Sequence, residues 1–394
     1  MDFISRITAA TDPQKIAQEL TRDLNGTYQL GVLFTSHFDR AAIEKMVSHI
    51  REKGHVEYLI GCSCAGIIGS KEEIERKTAT SLILSRLPGV KITPFTLHQA
   101  QLEGLQSPED WYHFFEVFPS EKPIFVALPD PFRFDALHFV EQLNRVYPGS
   151  PVVGGLASGA NSPGANTLIL NHEFYDDGVV GVLLTGDIVV ETVVSQGCRP
   201  IGKTYIVTKA DENYIYSLAG RPCPDVLKDE LGKLSPEDQM LAQEAVFVGI
   251  AMDEYKHDLR RGDFLIRGLM GIDPITGAGV IADTVKTGQT IQFHLRDAKT
   301  AREDLNELLS RQQTRMNQRK PNGALVFCCN GRGEYLFKEK NHDIQIIQKY
   351  LGVIPTAGFF CAGEIGPVGK SNFLHGFTNS IALFYPKGEA SSES

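Results

Sequence analysis

The chain has 394 residues, too many for one hydrophobic core, and its hydrophobic content of 42% and charged content of 22% are those of a folded globular protein. A net charge of -9 leaves no basic stripe to neutralise phosphates, which argues against a nucleic-acid-binding surface. Seven cysteines, an odd number, together with no secretory signal pattern and no run of eighteen apolar residues, predict a cytoplasmic protein that does not insert into membranes.

The first predicted element is an N-terminal helix within residues 1–27. Asp12-Pro13 provides an N-cap and a first helical residue, and Asn25-Gly26 provides a stop. A strand at Leu30 to Phe34 then leads into a helix at Asp39 to Lys53. These two elements begin a predicted first domain, which spans residues 28–217.

A six-residue glycine pattern occurs three times along the chain. It reads G-C-S-C-A-G from Gly61 to Gly66, G-G-L-A-S-G from Gly154 to Gly159, and G-F-F-C-A-G from Gly358 to Gly363. All three copies fit G-x-x-[CA]-[AS]-G. Glycines in such a pattern are typical of a strand that ends in a crowded turn, where backbone approaches backbone or a ligand.

The surroundings of the three glycine turns repeat as well. Each turn is preceded by a strand and a helix, and each is followed by another strand, at Ser81 to Leu84, Val179 to Leu184 and Ser380 to Phe384. This predicts an α/β fold with mixed sheets and helices on their faces, built from a strand-helix-strand-turn-strand unit used three times, with an αββα layering as one form. Shared turn chemistry without duplication is the alternative.

The middle of the chain reads as β-structure. Between Thr167 and Gln196, strands alternate with two turns, which predicts a meander. A Pro/Gly-rich stretch after Ser217 marks a domain boundary, so the predicted second domain spans residues 218–386. Its helices begin at the caps Ser235-Pro236 and Asp297. The polar residues 387–394 are predicted to form a disordered tail.

Four arginines stand beside glycine turns or strand ends, and a guanidinium there is suited to bind a carboxylate or a phosphate. Glu364 could hold an ammonium group while Arg332 holds the carboxylate of the same amino-acid-like molecule. Alternatively, the arginines pair with Asp273, Asp297 or Glu364 and pin loops. The candidate ligand-binding residues are Arg199, Arg267, Arg296, Asn330, Arg332, Cys361, Glu364 and His375, together with the turn glycines Gly61, Gly66, Gly154, Gly159, Gly358 and Gly363.

Other chemistries have weaker patterns. Ser63 or Cys64 could be the nucleophile of a hydrolase on a strand-to-helix elbow, but no apolar-faced helix begins after Gly66. The cysteine pairs lack the spacing of a zinc site, and His375 suits a structural role or that of a ligand or base. We therefore assign no catalytic residue and no metal, and we expect a protein that is not an enzyme.

Several ordered motifs resemble those of FIST proteins, in which an N-terminal FIST domain precedes a FIST_C domain. They include the three glycine turns, Ser195-Q-G-C-R-P-I-Gly202, Val326-F-C-C-N-G-R-Gly333 and His375-G-F-T-N-Ser380, and the similarity extends from Tyr28 to Tyr385. The resemblance implies a sensory, signal-transduction module that binds a small ligand such as an amino acid. No output motif follows, so a stand-alone copy would act in trans on a histidine kinase or a cyclic-dinucleotide enzyme.

The resemblance leaves alternatives open. Some family members bind haem and sense nitric oxide, which would require an axial ligand in an apolar pocket. Eukaryotic F-box proteins use the domain pair to recruit substrates, which would make this chain an interaction scaffold. For the ligand-binding hypothesis, we expect a cleft near the glycine turns, between the domains, that closes on what both sides touch.

Overall fold

The computed structural model describes residues 1–37, 39–317 and 319–388. The described chain forms two units. The first contains Met1–Val194, Asn306–Leu374 and the chain from Thr378 onward, and the second contains Ser195–Leu305 and His375–Phe377. Most of the predicted tail, residues 389–394, lies outside the described residues.

The first unit is built from three repeats of one element order. The first repeat contains β1 (Asp2–Thr8), α1 (Pro13–Leu20), β2 (Tyr28–Thr35), α2 (Arg40–Gly54), β3 (Val56–Ser63), β4 (Gly66–Gly69), β5 (Glu73–Glu75) and β6 (Thr80–Arg86). The second contains β7 (Val90–Leu97), α3 (Gln99–Gly104), α4 (Pro108–Phe115), a 3₁₀ turn (Pro119–Glu121), β8 (Ile124–Pro129), α5 (Ala136–Val146), β9 (Val152–Gly155), β10 (Leu168–Leu170), β11 (Glu173–Tyr175) and β12 (Val179–Gly186).

The third repeat is interrupted after its first strand, β13 (Ile188–Gln196), by the elements of the second unit. These are β14 (Cys198–Asp211), β15 (Tyr214–Leu218), β16 (Arg221–Pro222), α6 (Cys223–Gly232), α7 (Pro236–Glu244), β17 (Val246–Ala251), β18 (Phe264–Ile272), β19 (Gly279–Ile281) and β20 (Thr290–Arg296). The repeat resumes with α8 (Ala298–Arg315), β21 (Gly323–Cys329), α9 (Gly333–Phe337), α10 (His342–Leu351), β22 (Thr356–Cys361), β23 (Glu364–Val368), β24 (Ser371–His375) and β25 (Thr378–Pro386).

Each repeat contributes the core of one mixed six-stranded sheet. The strand orders are β1-β6-β2-β3-β10-β11, β7-β12-β8-β9-β23-β24 and β13-β25-β21-β22-β4-β5. In each sheet two strands joined by a helix run parallel, namely β2 with β3, β8 with β9, and β21 with β22. Their connections require a crossover, and α2, α5 and α10 provide it. The predicted mixed α/β fold is confirmed.

The hairpin that follows each glycine turn joins the sheet of another repeat. The hairpin β4-β5 of the first repeat pairs with β22, β10-β11 of the second pairs with β3, and β23-β24 of the third pairs with β9. The exchange is therefore cyclic. The expectation of a meander between Thr167 and Gln196 is wrong, because β10-β11, β12 and β13 lie in three different sheets.

Alternation along the strands gives each sheet two apolar faces. Val32 and Phe34 of β2 pack in a core with residues of the other two sheets, such as Val126 and Phe327. Leu33, between them, faces the opposite side and packs with the apolar residues of α1 and α2. Full burial of each such side chain stabilises the folded state by about 1.5–3 kcal/mol. The sheets thus share one inner core and carry helices outside it.

The second unit is an antiparallel β-barrel. Its strand order is β14-β20-β17-β18-β19-β15, and an additional pairing of β14 with β15 closes the ring, while β16 pairs only with β15 among the described strands. Closure removes the exposed edges that an open sheet would present. The interior is filled by apolar residues such as Val248, Phe293 and Leu295, which pack with Val226 of α6.

The N-terminal region differs from its prediction. A strand, β1, precedes the helix and pairs with β6, and α1 ends at Leu20 rather than near Asn25. Asp12 caps the helix as expected, because its side chain accepts a hydrogen bond from the Lys15 N–H. The strand was missed because its mixed polar and apolar residues carry little periodic signal.

Candidate functional site

The first glycine of each turn is required by the neighbouring parallel strand. Gly61, Gly154 and Gly358 occupy the same register position, opposite Leu33, Ala127 and Val326. A Cβ at any of the three would collide with the carbonyl oxygen of that opposing residue. The predicted close approach of backbone to backbone is therefore present in all three repeats.

The second glycine of each turn packs against the third residue of another turn. A Cβ at Gly66 would lie 3.1 Å from Phe360, one at Gly159 would lie 2.6 Å from the Ser63 hydroxyl, and one at Gly363 would lie 2.9 Å from Leu156. Ser63, Leu156 and Phe360 are equivalent residues of the three copies. The turns therefore meet in a closed cycle within the first unit.

Hydrogen bonds follow the same cycle. The Ser158 N–H donates to the Ser63 carbonyl at 3.3 Å, and the Ala362 N–H donates to the Leu156 carbonyl at 3.1 Å. At the third junction the Ser158 hydroxyl bridges the Ala65 N–H and the Phe360 carbonyl. The hydroxyl accepts a hydrogen bond from the Ala65 N–H at 3.0 Å and donates one to the Phe360 carbonyl. Ser158 thus links all three turns.

The tips of the turns reach the surface at the carboxyl ends of the parallel strands. Ala65 and Ala362 are exposed, and the equivalent Ser158 is 8% exposed. Asn330, also exposed, donates its N–H to the Cys361 carbonyl at 2.9 Å, beside Ala362. We call Ala65, Ser158, Ala362 and Asn330 the turn face. In open α/β sheets the carboxyl ends of strands are where ligands bind.

The residues that could have formed a nucleophile elbow are buried. The Ser63 hydroxyl accepts from the Thr167 N–H at 2.9 Å and lies 3.4 Å from Asn166 Oδ1. Among its hydrogen bonds in the described chain, neither partner is a base. Burial raises the pKa of the Cys64 thiol far above its ordinary value, so a reactive thiolate is disfavoured there.

The third repeat contains a buried ionic network behind its turn. Arg332 is fully buried, and its Nε and Nη2 donate to the two Asp343 carboxylate oxygens at 2.8 and 3.0 Å. The same carboxylate accepts from Asn379 Nδ2 at 2.8 Å and lies 2.7 Å from His342 Nδ1. Burial alone would raise the pKa of Asp343, but the Arg332 charge and these hydrogen bonds hold it well below its ordinary value.

Two further buried carboxyl groups adjoin this network. Glu364 Oε2 accepts from the Thr378 N–H at 2.9 Å and from its hydroxyl at 2.7 Å, and burial raises the pKa of Glu364 to about 7. Glu73 Oε1 accepts from the Ile344 N–H at 2.8 Å, and burial together with the Asp343 charge raises the pKa of Glu73 to about 8. Glu73 Oε2, Arg332 Nη1 and Asn379 Oδ1 are buried without a hydrogen-bond partner in the described chain.

The structure brings together only part of the predicted ligand-binding set. Arg332, Cys361 and Glu364 lie in the network just described, and Asn330 lies on the turn face. Arg199, Arg267, Arg296 and His375 belong to the second unit. Asp343, His342, Asn379 and Glu73 were not predicted from the sequence, because none of the four adjoins a glycine turn there.

The arginines of the second unit have partners of their own. Arg199 pairs with Asp238 and, at 3.3 Å, with Asp297, and Arg267 pairs with Asp283. The Arg296 guanidinium lies 5.4 Å from the centre of the Phe377 ring. Of the carboxylates named in the loop-pinning alternative, Asp297 is a partner of Arg199, whereas the partner of Arg267 is Asp283. Ligand binding by these arginines stays a prediction.

A haem group does not fit the apolar cavity at the centre of the three sheets. That cavity is lined by residues such as Val32, Val126, Leu325 and Phe384 and has a volume of about 20 Å³. It has room for about one water molecule, and a porphyrin is many times larger.

The fold and the glycine turns define an α/β protein of three interlocked repeats, the third of which contains an inserted β-barrel. The FIST N domain model matches residues 29–221 and the FIST C domain model matches residues 224–367. The chain belongs to the FIST family, whose domains are sensory modules of signal transduction. The border between the two matches does not coincide with the two compact units, because the first unit continues after the barrel.

Similar full-length proteins occur in mycobacteria. An uncharacterized protein of Mycobacterium tuberculosis is 38% identical over 386 residues, covering 96% of this chain and 98% of that protein. An uncharacterized protein of Mycobacterium bovis is 41% identical over 357 residues, covering 90% of each chain. A crystal structure of a cyanuric acid hydrolase from A. caulinodans covers 98% of this chain and 100% of its own at 9% identity, but its TM-score of 0.32 supports no conclusion.

In the described ranges of the chain, no helix combines the length and the apolar character needed to cross a membrane.

Proposed function

We propose that this protein is a cytoplasmic sensor that binds a small amino-acid-like or otherwise anionic ligand at the turn face. The observation that carries the proposal is the cyclic contact of the three glycine turns, which places Ala65, Ser158 and Ala362 together at the carboxyl ends of the parallel strands. Closely packed turns offer a rigid main-chain surface, and rigid surfaces bind ligands at low entropic cost.

The groups at this face limit the chemistry of the ligand. Asn330 offers a side-chain amide beside the small, exposed side chains of Ala65 and Ala362, and Ser158, which is 8% exposed, has its hydroxyl hydrogen bonded to the Phe360 carbonyl. A neutral amide donor with small side chains around it suits a small carboxylate or a zwitterion. Because Arg332 is fully buried and two of its guanidinium nitrogens donate to Asp343 behind the turn, we assign it to supporting the turn rather than to direct contact with the ligand.

The output of the sensor would pass to a partner protein. We propose that the partner is a signalling protein such as a histidine kinase or a cyclic-dinucleotide enzyme, which is what the resemblance to FIST proteins implies. We also propose that the chain is not an enzyme, since Ser63 lacks a basic partner among its described hydrogen bonds and burial raises the pKa of the Cys64 thiol.

A thermal-shift screen of amino acids and small carboxylic acids tests the ligand. We expect at least one compound to raise the melting temperature, because a ligand that binds only the folded state stabilises it. An Ala362→Phe variant fills the turn face without removing a buried contact, and it should lose the shift. Ala100→Phe, at another exposed alanine, is the matched control and should retain it. An equal shift in both variants contradicts the proposed site.

A further inference from the structure

Glu364 occupies a position where the other two repeats carry apolar side chains. It is opposite Gly155 in the pairing of β23 with β9, and the equivalent residues of the other two exchanged hairpins are Leu168 and Ile67. All three side chains are fully buried. A carboxyl group in this apolar setting is costly to ionise unless a cation is beside it.

The groups that face Glu364 do not supply such a cation. They are Cys361 on β22, Thr378 on β25, and Arg332 with its partner Asp343 behind the turn, while Cys328 and Cys329 on β21 face Cys361. The Arg332 charge is offset by Asp343. Among the residues that the structure describes, no ion pair to Glu364 is present.

The hydrogen bonds around Cys361 fit a neutral Glu364. The Cys361 sulfur lies 3.2 Å from the Cys328 carbonyl oxygen and 3.5 Å from Glu364 Oε1. A thiol has one hydrogen, so it cannot donate to both acceptors. If Glu364 carries a proton on Oε1, that O–H donates to the sulfur and the thiol donates to the carbonyl, and both contacts are satisfied.

We infer that Glu364 and Cys361 form a proton-operated switch in which Glu364 is protonated in the described fold. When the proton leaves Oε1 for solvent, the thiol hydrogen turns from the Cys328 carbonyl to the new carboxylate, and no bond between heavy atoms changes. Glu364 and Cys361 flank Ala362 and Gly363, so the rearrangement acts on the third turn. Its effect on a ligand rests on the proposed function, whereas the protonation itself does not.

The sign of the linked stability follows from the direction of the pKa change. Burial raises the pKa of Glu364 from its ordinary value of 4.5 to about 7 in the folded protein. Between pH 4.5 and 7, the folded protein therefore holds a proton that the unfolded chain has lost. The contribution of Glu364 to the free energy of unfolding is fully present below pH 4.5 and is lost as the pH rises through about 7. Glu73 acts in the same direction up to about 8.

The test combines a direct measurement with a substitution. In the unsubstituted full chain, with glutamate labelled by ¹³C in its carboxyl group, infrared spectroscopy at pH 5.5 should show a protonated carboxyl band that disappears as the pH rises through about 7. Glu364→Gln fixes a neutral side chain, so the band should be reduced in that variant, and urea unfolding should show one fewer proton linked to unfolding between pH 5 and 7.

Two controls keep the inference falsifiable. Glu72→Gln, at an exposed glutamate, should leave both the band and the proton linkage unchanged. Glu73→Gln should remove a separate band that titrates near pH 8, so the two buried groups can be told apart. Absence of any protonated band at pH 5.5, or a band that survives Glu364→Gln and disappears with Glu73→Gln, overturns the assignment to Glu364. If Glu364→Gln does not fold, a protonated band that persists in Glu73→Gln and titrates near 7 supports the assignment to Glu364, and its absence from that variant overturns the assignment.

Discussion

Arg332 and Asp343 illustrate how a fully buried charge is tolerated in the first unit. Two parallel hydrogen bonds join them, and Asn379 and His342 occupy the remaining acceptor positions of the carboxylate. The Phe337 ring stacks on His342 and lies 5.3 Å from the Arg332 guanidinium. Such a pair adds little over an apolar pair of the same volume, but loss of one partner leaves the other charge uncompensated.

Asp343→Asn should destabilise the protein strongly. The substitution removes the charge that offsets Arg332, and we expect a loss of about 3–5 kcal/mol in the free energy of unfolding, measured by urea denaturation. The control is Glu44→Gln, which breaks the exposed pair of Arg40 and Glu44 and should cost about 0.5 kcal/mol or less. Similar losses in the two variants would contradict the structural role of the buried pair.

At the same scale, little of this network could be predicted from the sequence. Arg332 and Glu364 were singled out because they adjoin glycine turns, and they do lie in one buried region. Glu73 could not be placed there, because it arrives on the exchanged hairpin from the first repeat, far from Arg332 in sequence. A partner that depends on strand exchange leaves no local pattern.

Among the elements, the parallel strand pairs depend on the first glycine of each turn. Gly154→Ala would place a methyl group against the Ala127 carbonyl, and the strands would have to separate. We expect a destabilisation of about 1–3 kcal/mol by urea unfolding. Gly104 lies at the end of α3, and a Cβ added there would have no neighbour within 4 Å beyond the adjoining residues and the helix backbone. Gly104→Ala should therefore leave the free energy of unfolding unchanged or raise it by up to about 1 kcal/mol. A harmless Gly154→Ala would show that the register is not held by this contact.

Helices and strands could be predicted from local sequence patterns, whereas their pairing into sheets could not. The strand-helix-strand units and the strands after the turns were predicted because periodicity and helix caps are local, as at Asp12 and Asp297. The meander was wrong for the opposite reason. Two short turns between Thr167 and Gln196 look like hairpin connections. Within this range only β10 and β11 form a hairpin, while β12 and β13 pair with strands that are distant in the sequence.

In the whole molecule, the chain ends of the first unit lie close together. Asn322 donates its N–H to the Phe384 carbonyl at 2.8 Å and its side-chain amide to the Met1 carbonyl at 3.1 Å. The rings of Phe3 and Phe384 are 5.6 Å apart. Because the first and third sheets meet where the chain begins and ends, no single repeat is first in structural terms.

A circular permutant tests this arrangement. In the first permutant, the chain is opened between Pro88 and Gly89, in the exposed loop between β6 and β7, and a flexible linker joins residue 394 to Met1. We expect this permutant to fold and to have a circular dichroism spectrum close to that of the parent protein. Opening between Val32 and Leu33, inside β2, should prevent folding, since that strand is paired on both sides. Failure of the first permutant and success of the second would refute the cyclic architecture.

The interruption of the third repeat has a consequence for synthesis on the ribosome. β13 is translated before the entire barrel, yet its sheet neighbour β25 is the last strand to be made. At roughly 5–20 residues per second, β13 waits on the order of ten seconds or more for that neighbour. Until then its edge is open, so the nascent chain is most vulnerable to aggregation after two repeats are complete, and chaperone binding during elongation should be concentrated in that interval.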